Sequence, residues 1–431
     1  MKANGHSGCW FLHKHTDILA KIVISILLIG VGFRVFSPRL NPSPSIAEKE
    51  TPFLQEEEEE SIAVTFDPPA NPDQISIIEE TKKCDLFNGD WIPNIAGPAY
   101  TNESCSLIEN HQNCMMNGRP DTGYLYWKWK PRDCNLLAFN GKRFLKMMRN
   151  KSWALIGDSI TRNHVQSLLC ILSKVEQAIE VYHDSEYKSK RWYFPSHNFT
   201  VSVIWSPFLV KAAIFENNDG ISTSEIKLQL DKLDQTWTKQ FQQWDYMIFS
   251  SGKWFIKTAI YYENNTVSGC HYCANKKIKS MGYNSAYRQV LKSVFNFILE
   301  SNYKGMIFYR TTTPDHFEDG QWFSGGSCRR TEPAKEGEYK LNELIQILRD
   351  VELEEFAEAE ARALEKGINL KLLDLIELTL TRPDGHPGPY RHFQPFAKDE
   401  NAKVGSDCLH WCLPGPIDSW NDVIMEMVLN R

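Results

Sequence analysis

The chain has 431 residues, a net charge of −6 and an apolar share of 42%. That length allows one large domain or two ordinary ones with a substantial core. Lys and Arg are scattered with no basic stripe, which argues against nucleic acid as a partner. The thirteen Trp are mainly core material, although Trp and Tyr in a cleft also offer flat faces to sugar rings.

At the N-terminus the uninterrupted apolar run is Ile22 to Phe33, bounded by Lys21 and Arg34. Taken alone, that length also suits a cleaved signal peptide. Counted over residues 16–36, with Lys21 and Arg34 snorkelling, the segment forms a helix of about 30 Å, enough to span a bilayer. Ser37-Pro38-Arg39-Leu40 is a poor cleavage site. With Lys2, Lys14 and Lys21 on the N-terminal side, the expectation is an uncleaved signal anchor preceded by a cytosolic tail over 1–15. Residues 37–83 are acidic and Pro-rich, with the run Glu56 to Glu60, and read as a disordered stem.

Residues 84–137 form a Cys- and Trp-rich segment that cannot build a core alone and is expected to be stapled onto the C-terminal remainder of the chain. Cys9 precedes the hydrophobic segment, and Cys84, Cys105, Cys114, Cys134, Cys170, Cys270, Cys273, Cys328, Cys408 and Cys412 lie beyond it. An even number beyond a membrane signal fits disulfides in an oxidising lumen. Cys170, inside the apolar stretch Ser167 to Leu172, is the one candidate for a free buried thiol. Asn102, Asn150, Asn198 and Asn264 head Asn-x-Ser/Thr glycosylation signals. Cys270-His271-Tyr272-Cys273 looks like half of a zinc site, but no second half with matching spacing exists. The expectation is therefore no metal.

From residue 138 to 431, apolar runs alternate with helical periodicity. Buried strands are predicted over Trp153–Ile156, Tyr246–Phe249, Met306–Tyr309 and Leu370–Leu375, with helices over Thr161–Leu172, Tyr287–Glu300 and Glu338–Lys366. Gly367 is the natural stop of the last helix, whose buried face includes Leu341, Ile345, Leu348, Phe356, Ala359 and Ala363. This alternation predicts an α/β fold, a three-layer α/β/α sandwich on a mostly parallel sheet. Active residues should then gather beyond the carboxyl ends of the strands.

Gly157-Asp158-Ser159 falls just past the first predicted strand, at the start of a helix whose free N–H groups can stabilise an oxyanion. Far along the chain, Asp407 and His410 supply a carboxylate and an imidazole three residues apart. A hydroxyl, a base and an acid to orient it are what acyl transfer through serine requires. By itself Gly-Asp-Ser is weak, since Asp158 or Ser159 could simply cap a helix. Gly252, past the second strand, can bring another N–H to the same point, and Arg310 comes just after the third. Arg162 and Asn163, one turn after Ser159, are candidates to orient Asp158 or bind substrate, with packing as the alternative. His316 and His386 are substrate candidates in Pro- and Gly-rich loops, where turn stabilisation is the commoner role.

Gly157-Asp158-Ser159, Cys84-Asp85 with Gly89-Asp90-Trp91, the Cys105 to Cys114 region with Asn117-Gly118-Arg119, Arg382-Pro383-Asp384-Gly385-His386, and Asp407-Cys408-Leu409-His410 through Gly415 together resemble the plant trichome-birefringence-like family. The resemblance runs from Cys84 to the C-terminus. It implies an SGNH/GDSL-like catalytic domain in a single-pass type II Golgi membrane protein that O-acetylates cell-wall polysaccharide. It also implies that Ser159 carries the acetyl group, with His410 as base and Asp407 as its partner. Ser250 and Lys253 stand where many relatives carry Asn and His around the glycine. No bound cofactor is implied, only an acetyl donor as co-substrate, acetyl-CoA among the candidates. Segments Trp205 to Phe208, Tyr261 to Glu263, Cys270 to Cys273 and Thr313 to Phe317 look more like the mannan and xyloglucan branch than the xylan branch, and the acceptor favoured is glucomannan. A xyloglucan or xylan O-acetyltransferase, an esterase using the same three residues with water as acceptor, and a polysaccharide-binding protein without chemistry are the other readings.

Overall fold

A computed structural model describes residues 84–216, 223–274 and 277–429, all within the unit Glu80–Arg431. The expected cytosolic tail, membrane span and stem lie outside these residues. Among the described residues no helix is long and apolar enough to cross a membrane.

The centre of the fold is a run of strands that are apolar on both faces. Strand β3 (Ser152–Gly157) is buried at all but its first residue, and β9 (Tyr246–Phe249) and β12 (Met306–Arg310) are buried throughout. Continuous burial of this kind belongs to the interior of a parallel sheet covered on both sides. Together with β6 (Phe199–Trp205) and β13 (Asn369–Leu373), these form five parallel strands. Two antiparallel strands, β5 (Lys190–Phe194) and β4 (Ile179–His183), extend the edge beyond β6. The full order is β13-β12-β9-β3-β6-β5-β4.

Successive side chains of a strand point to opposite faces, and here each face meets helices. Leu155, Ile248 and Phe308 pack with Leu168, Leu169, Trp420 and Val423, on the helices Ser159–Ser173 and Asp418–Leu429. Ala154, Ile156, Met247, Phe249 and Ile307 pack with Val290, Val294, Leu348 and Phe356, on the helices Tyr283–Glu300 and Glu343–Lys366. The result is a seven-stranded sheet between two helical layers, as the alternation of apolar runs predicted.

Two smaller sheets lie outside that frame. β1 (Gly89–Pro93) pairs antiparallel with β2 (Trp127–Pro131) in the Cys-rich segment. β7 (Val210–Ala213), β8 (Ile226–Leu233), β10 (Ala259–Glu263) and β11 (Thr266–His271) form a four-stranded sheet. Strand predictions based on continuous apolar runs miss these, because β8 alternates buried and exposed residues and is rich in Lys, Gln and Asp. The long helix begins at Glu343 instead of Glu338, since Asn342 caps it by accepting from Ile345 N–H at 3.0 Å. It ends at Gly367, which is left-handed at φ 63°.

All ten described cysteines are paired: Cys84–Cys134, Cys105–Cys170, Cys114–Cys412, Cys270–Cys273 and Cys328–Cys408. Cys170, a disulfide candidate that was also the one candidate for a free thiol, is bridged, because the helix carrying it buries it against Cys105 of the Cys-rich segment. Cys270 and Cys273 are joined to each other. Asn150, Asn198 and Asn264 are exposed and left-handed, whereas Asn102 is half-buried. Replacing Cys105 and Cys170 together with Ser is expected to lower unfolding stability by about 2–4 kcal/mol. Denaturant titration checks this, and an unchanged midpoint would show that the bridge contributes nothing.

Candidate active site

The nucleophile candidate is placed by a turn with no room for side chains. At Gly157, the last residue of β3, a Cβ would lie 2.3 Å from the Ser250 carbonyl oxygen and 2.5 Å from Thr161 Oγ1. Asp158 then caps the helix, its Oδ1 accepting from Ile160 N–H at 3.0 Å. Ser159 is the first helical residue, so its N–H has no intrahelical acceptor and sits at the positive end of the helix dipole. On the neighbouring strand end, Gly252 has φ 141°, and a Cβ there would lie 1.9 Å from Thr312 Oγ1. Ser250 Oγ accepts from Arg310 Nη2 at 2.7 Å. That arginine is fully buried beneath the turn, so it supports the site from below and is not open to a polymer.

The second half of the site comes from the loop after residue 406. His410 Nδ1 lies 2.9 Å from Asp407 Oδ2. Asp407 Oδ1 accepts from the N–H groups of Leu409 and His410 at 3.1 and 3.0 Å. Burial alone would raise the Asp407 carboxyl, but the charge and hydrogen bonds of His410 hold it well below the usual carboxylate range. An ionised carboxylate at Nδ1 selects the tautomer with a proton there and a lone pair on Nε2. That Nε2 is buried and has no hydrogen-bond partner among the described residues.

Asn163 is the residue that joins the two halves. Its Oδ1 accepts from Trp411 N–H at 2.7 Å, and its Nδ2 donates to the Trp411 carbonyl at 3.2 Å. Because Asn163 lies one helical turn beyond Ser159, the residue after His410 is clamped to the nucleophile's own helix. The bridges Cys114–Cys412 and Cys328–Cys408 hold the loop on either side of His410. From beneath, Asp407 and Gly388 exchange backbone hydrogen bonds at 2.9 and 3.0 Å, and His386 Nδ1 lies 2.7 Å from the His410 carbonyl oxygen.

His316 and His386 were candidates for substrate contact, with turn stabilisation the commoner role. They are instead buried under the loop, 2.7 Å apart, with His316 Nε2 on the Leu380 carbonyl oxygen. Burial lowers His316 to about 4 and holds His386 well below its ordinary value. Both serve the turn, as Pro- and Gly-rich surroundings favour. Arg162 stacks its guanidinium 5.0 Å from the Trp205 ring. Asp384, in the Arg382-to-His386 motif, is paired twice with Arg382 at 2.8 Å.

Residues 136–427 match the GDSL/SGNH-like acyl-esterase family found in Pmr5 and Cas1p, and residues 82–135 match the PMR5 N-terminal domain. The chain belongs to this acyl-esterase family. It is 53% identical to the Arabidopsis thaliana protein trichome birefringence-like 23, over 97% of this chain and 96% of that protein. Trichome birefringence-like 24 of the same plant is also 53% identical, over 97% of each chain. Xyloglucan O-acetyltransferase 2 of Populus trichocarpa is 42% identical, over 82% of this chain and 82% of that protein. The chain is therefore a trichome-birefringence-like protein, an enzyme of acyl-group chemistry.

Two features of this acyl-esterase fold escape inspection of the sequence. His111, in the Cys-rich segment, sets its ring at right angles to His410 with centroids 6.1 Å apart. Burial and the His410 charge lower it to about 4. Its only signal was its position between Cys105 and Cys114. Glu352, fully buried, lies behind Gly252 and bonds Tyr287 OH and Thr312 Oγ1, each at 2.6 Å. Both hydroxyls also reach the Ser251 carbonyl. A Glu in a long Glu-rich helix gives no sign of such a role.

A cavity of about 440 Å³ lined by Lys151, Asp245, Lys304 and Asn369 opens at the amino ends of the parallel strands. It is opposite the end where this class of sheet binds ligands. Among the described residues no group of His, Cys, Asp or Glu is placed to hold a metal.

Asn163→Ala should leave the fold intact yet reduce acetate release from a small ester about 100-fold in kcat. An unchanged kcat would show that the loop keeps its register without Asn163. Burial raises Glu352 from 4.5 to about 7. The native state therefore holds this proton more tightly than the unfolded chain. The associated stability is complete below pH 4.5 and is lost as pH rises to about 7. Glu352→Gln does not titrate, so its stability relative to wild type should increase across that interval by up to about 3 kcal/mol. Denaturation at several pH values measures it, and a difference independent of pH would refute the assignment.

Proposed function

We propose that the chain transfers acetyl groups onto a cell-wall hemicellulose through an acetyl-serine, with mannan or glucomannan as the favoured acceptor. The observation that carries this reading is the imidazole of His410, locked to Asp407 through Nδ1 and clamped beside the Ser159 helix with Nε2 unpartnered. In this reading Ser159 Oγ attacks the acetyl carbonyl of the donor and its proton passes to His410 Nε2. The N–H groups of Ser159 and Gly252 receive the oxyanion. As the tetrahedral adduct collapses, the donor's leaving group departs with the proton from His410. A sugar hydroxyl then attacks the acetyl-serine and gives its own proton to His410 Nε2, and collapse returns that proton to Ser159 Oγ. No metal or bound cofactor enters, and the acetyl donor, for which acetyl-CoA is one candidate, is a co-substrate.

Five disulfides support a lumenal setting, and we place the protein in the Golgi membrane as a single-pass type II protein. The relatives whose names state an acceptor are the xyloglucan O-acetyltransferases of Populus trichocarpa, at 42% identity, so xyloglucan is the acceptor against which mannan is to be tested.

The test incubates the full-length protein with an acetyl donor and separate mannan, xyloglucan and xylan oligosaccharides, measuring acetyl gain by mass spectrometry. Mannan-derived oligomers should gain acetyl groups fastest, and Ser159→Ala should reduce transfer at least about 1,000-fold. Acetate release from acetylated oligomers, with no transfer to any acceptor, would make the protein an esterase. Transfer persisting in Ser159→Ala would eliminate the acyl-serine.

A further inference from the structure

Trp322 is 59% exposed, whereas every other Trp among the described residues is buried or half-buried. Phe323 beside it is 73% exposed. Their rings stand nearly perpendicular, with centroids 5.6 Å apart. Both sit at the tip of a loop after β12 whose two ends return to the same residue. At one end, His316 N–H donates to the Cys408 carbonyl at 3.0 Å. At the other, Cys328 is disulfide-bonded to Cys408. Between them, Glu318 and Ser327 exchange backbone hydrogen bonds at 2.6 and 2.9 Å. Cys408 is the neighbour of Asp407 and lies two residues before His410, so the aromatic tip is rooted on the loop that carries the proposed base.

The tip is shaped from within. Ser324 N–H and Gly326 N–H both donate to the Gln321 carbonyl, at 3.0 and 2.9 Å, and Gln321 N–H donates to Ser324 Oγ at 2.8 Å. Gly320 has φ 141°, and a Cβ at Gly326 would lie 2.6 Å from the Gly320 carbonyl oxygen. These bonds set the loop without help from the two aromatic rings, which contribute no core. Two large apolar rings held out to water on a braced arm are costly unless something covers them.

We propose that Trp322 and Phe323 form a stacking platform for pyranose units of the acceptor polymer, remote from the hydroxyl being acetylated. The platform's link to acetyl transfer rests on the function proposed above. The C–H face of a pyranose is apolar and weakly positive, and it complements the electron-rich face of an aromatic ring. A polymer alone can occupy the site of chemistry and a distant platform at the same time, with the gain expected of two linked contacts. A nucleotide-bearing donor would need free cations beside the rings. Arg330, close by in the chain, is bonded to Glu338 at 2.6 Å, and Arg329 beside it is exposed, so the donor KM is the readout that separates a donor from the polymer.

The test is the full-length double variant Trp322→Ala/Phe323→Ala, assayed with short and long oligosaccharides of the same polysaccharide. The KM for the long acceptor should rise about ten-fold, with kcat, the donor KM and hydrolysis of a small acetyl ester unchanged. Trp322→Tyr/Phe323→Tyr should restore the wild-type KM. An unaltered KM for the long acceptor, or a rise in the donor KM instead, would overturn the platform. Affinity electrophoresis in glucomannan and xyloglucan gels separates this result from failure of the transferase reading. Wild type should be retarded in at least one gel and the double variant not, whether or not any acceptor is acetylated. Equal mobility of the two proteins would refute the platform independently of catalysis.

Discussion

The arrangement depends on holding one irregular loop, Asp407 to Cys412, against the first turns of the helix that begins at Ser159. A loop of this kind has no regular ladder to fix it, so side chains, cross-links and isolated backbone bonds must hold it. Asn163 imitates a strand neighbour by binding both polar groups of Trp411. Two disulfides restrain the loop at Cys408 and Cys412, and the strand-like exchange between Gly388 and Asp407 supports it from below. These contacts fix the main chain, and only then can the Asp407–His410 hydrogen bond fix the imidazole.

The Cys-rich segment is part of the same device. Arg119 donates to the carbonyls of His386 and Asp384 at 2.8 and 2.7 Å. Arg382, paired in bidentate fashion with Asp384, also donates to the Tyr124 carbonyl at 2.7 Å. A buried ion pair adds little stability on its own, but removing one partner leaves an uncompensated charge. Here the pair is shared between the segment and the turn beneath the loop. Asp418 has a similar joining role, accepting from Tyr100 OH at 2.8 Å and Ser167 Oγ at 2.5 Å, and burial raises it to about 6. The segment that could not form a core alone thus supplies polar struts and His111 to the site.

Much of the frame was legible because continuous apolar runs leave few alternatives. Tyr246–Phe249 is both the predicted and the observed strand, and Gly367 ends the long helix as its position suggested. The four-stranded sheet was not legible, since half-buried strands such as β8 mix charged and apolar residues. In the site, Ser159, Asp407 and His410 stood out by residue type and local pattern. Asn163 was noticed without its role, because an asparagine on a helix does not say which backbone it will meet. His111 and Glu352 were hidden, as their partners come from distant parts of the chain or from other layers of the fold.

Short-range chemistry determined what the sequence could settle alone: which runs must be buried, where the helix after Asp158 starts, and which hydroxyl, imidazole and carboxylate are suited to acyl transfer. Family motifs added an acyl-group enzyme to that. The tertiary structure decided which cysteines pair, that Cys170 is bridged, that His316 and His386 support the loop from inside, and that His410 is held beside the Ser159 helix. It also decided that Trp322, alike in composition to every other Trp, is held out to water. The reason is the same in each case. Burial and helix starts are properties of neighbouring residues, whereas a partner is set by how distant segments are folded together.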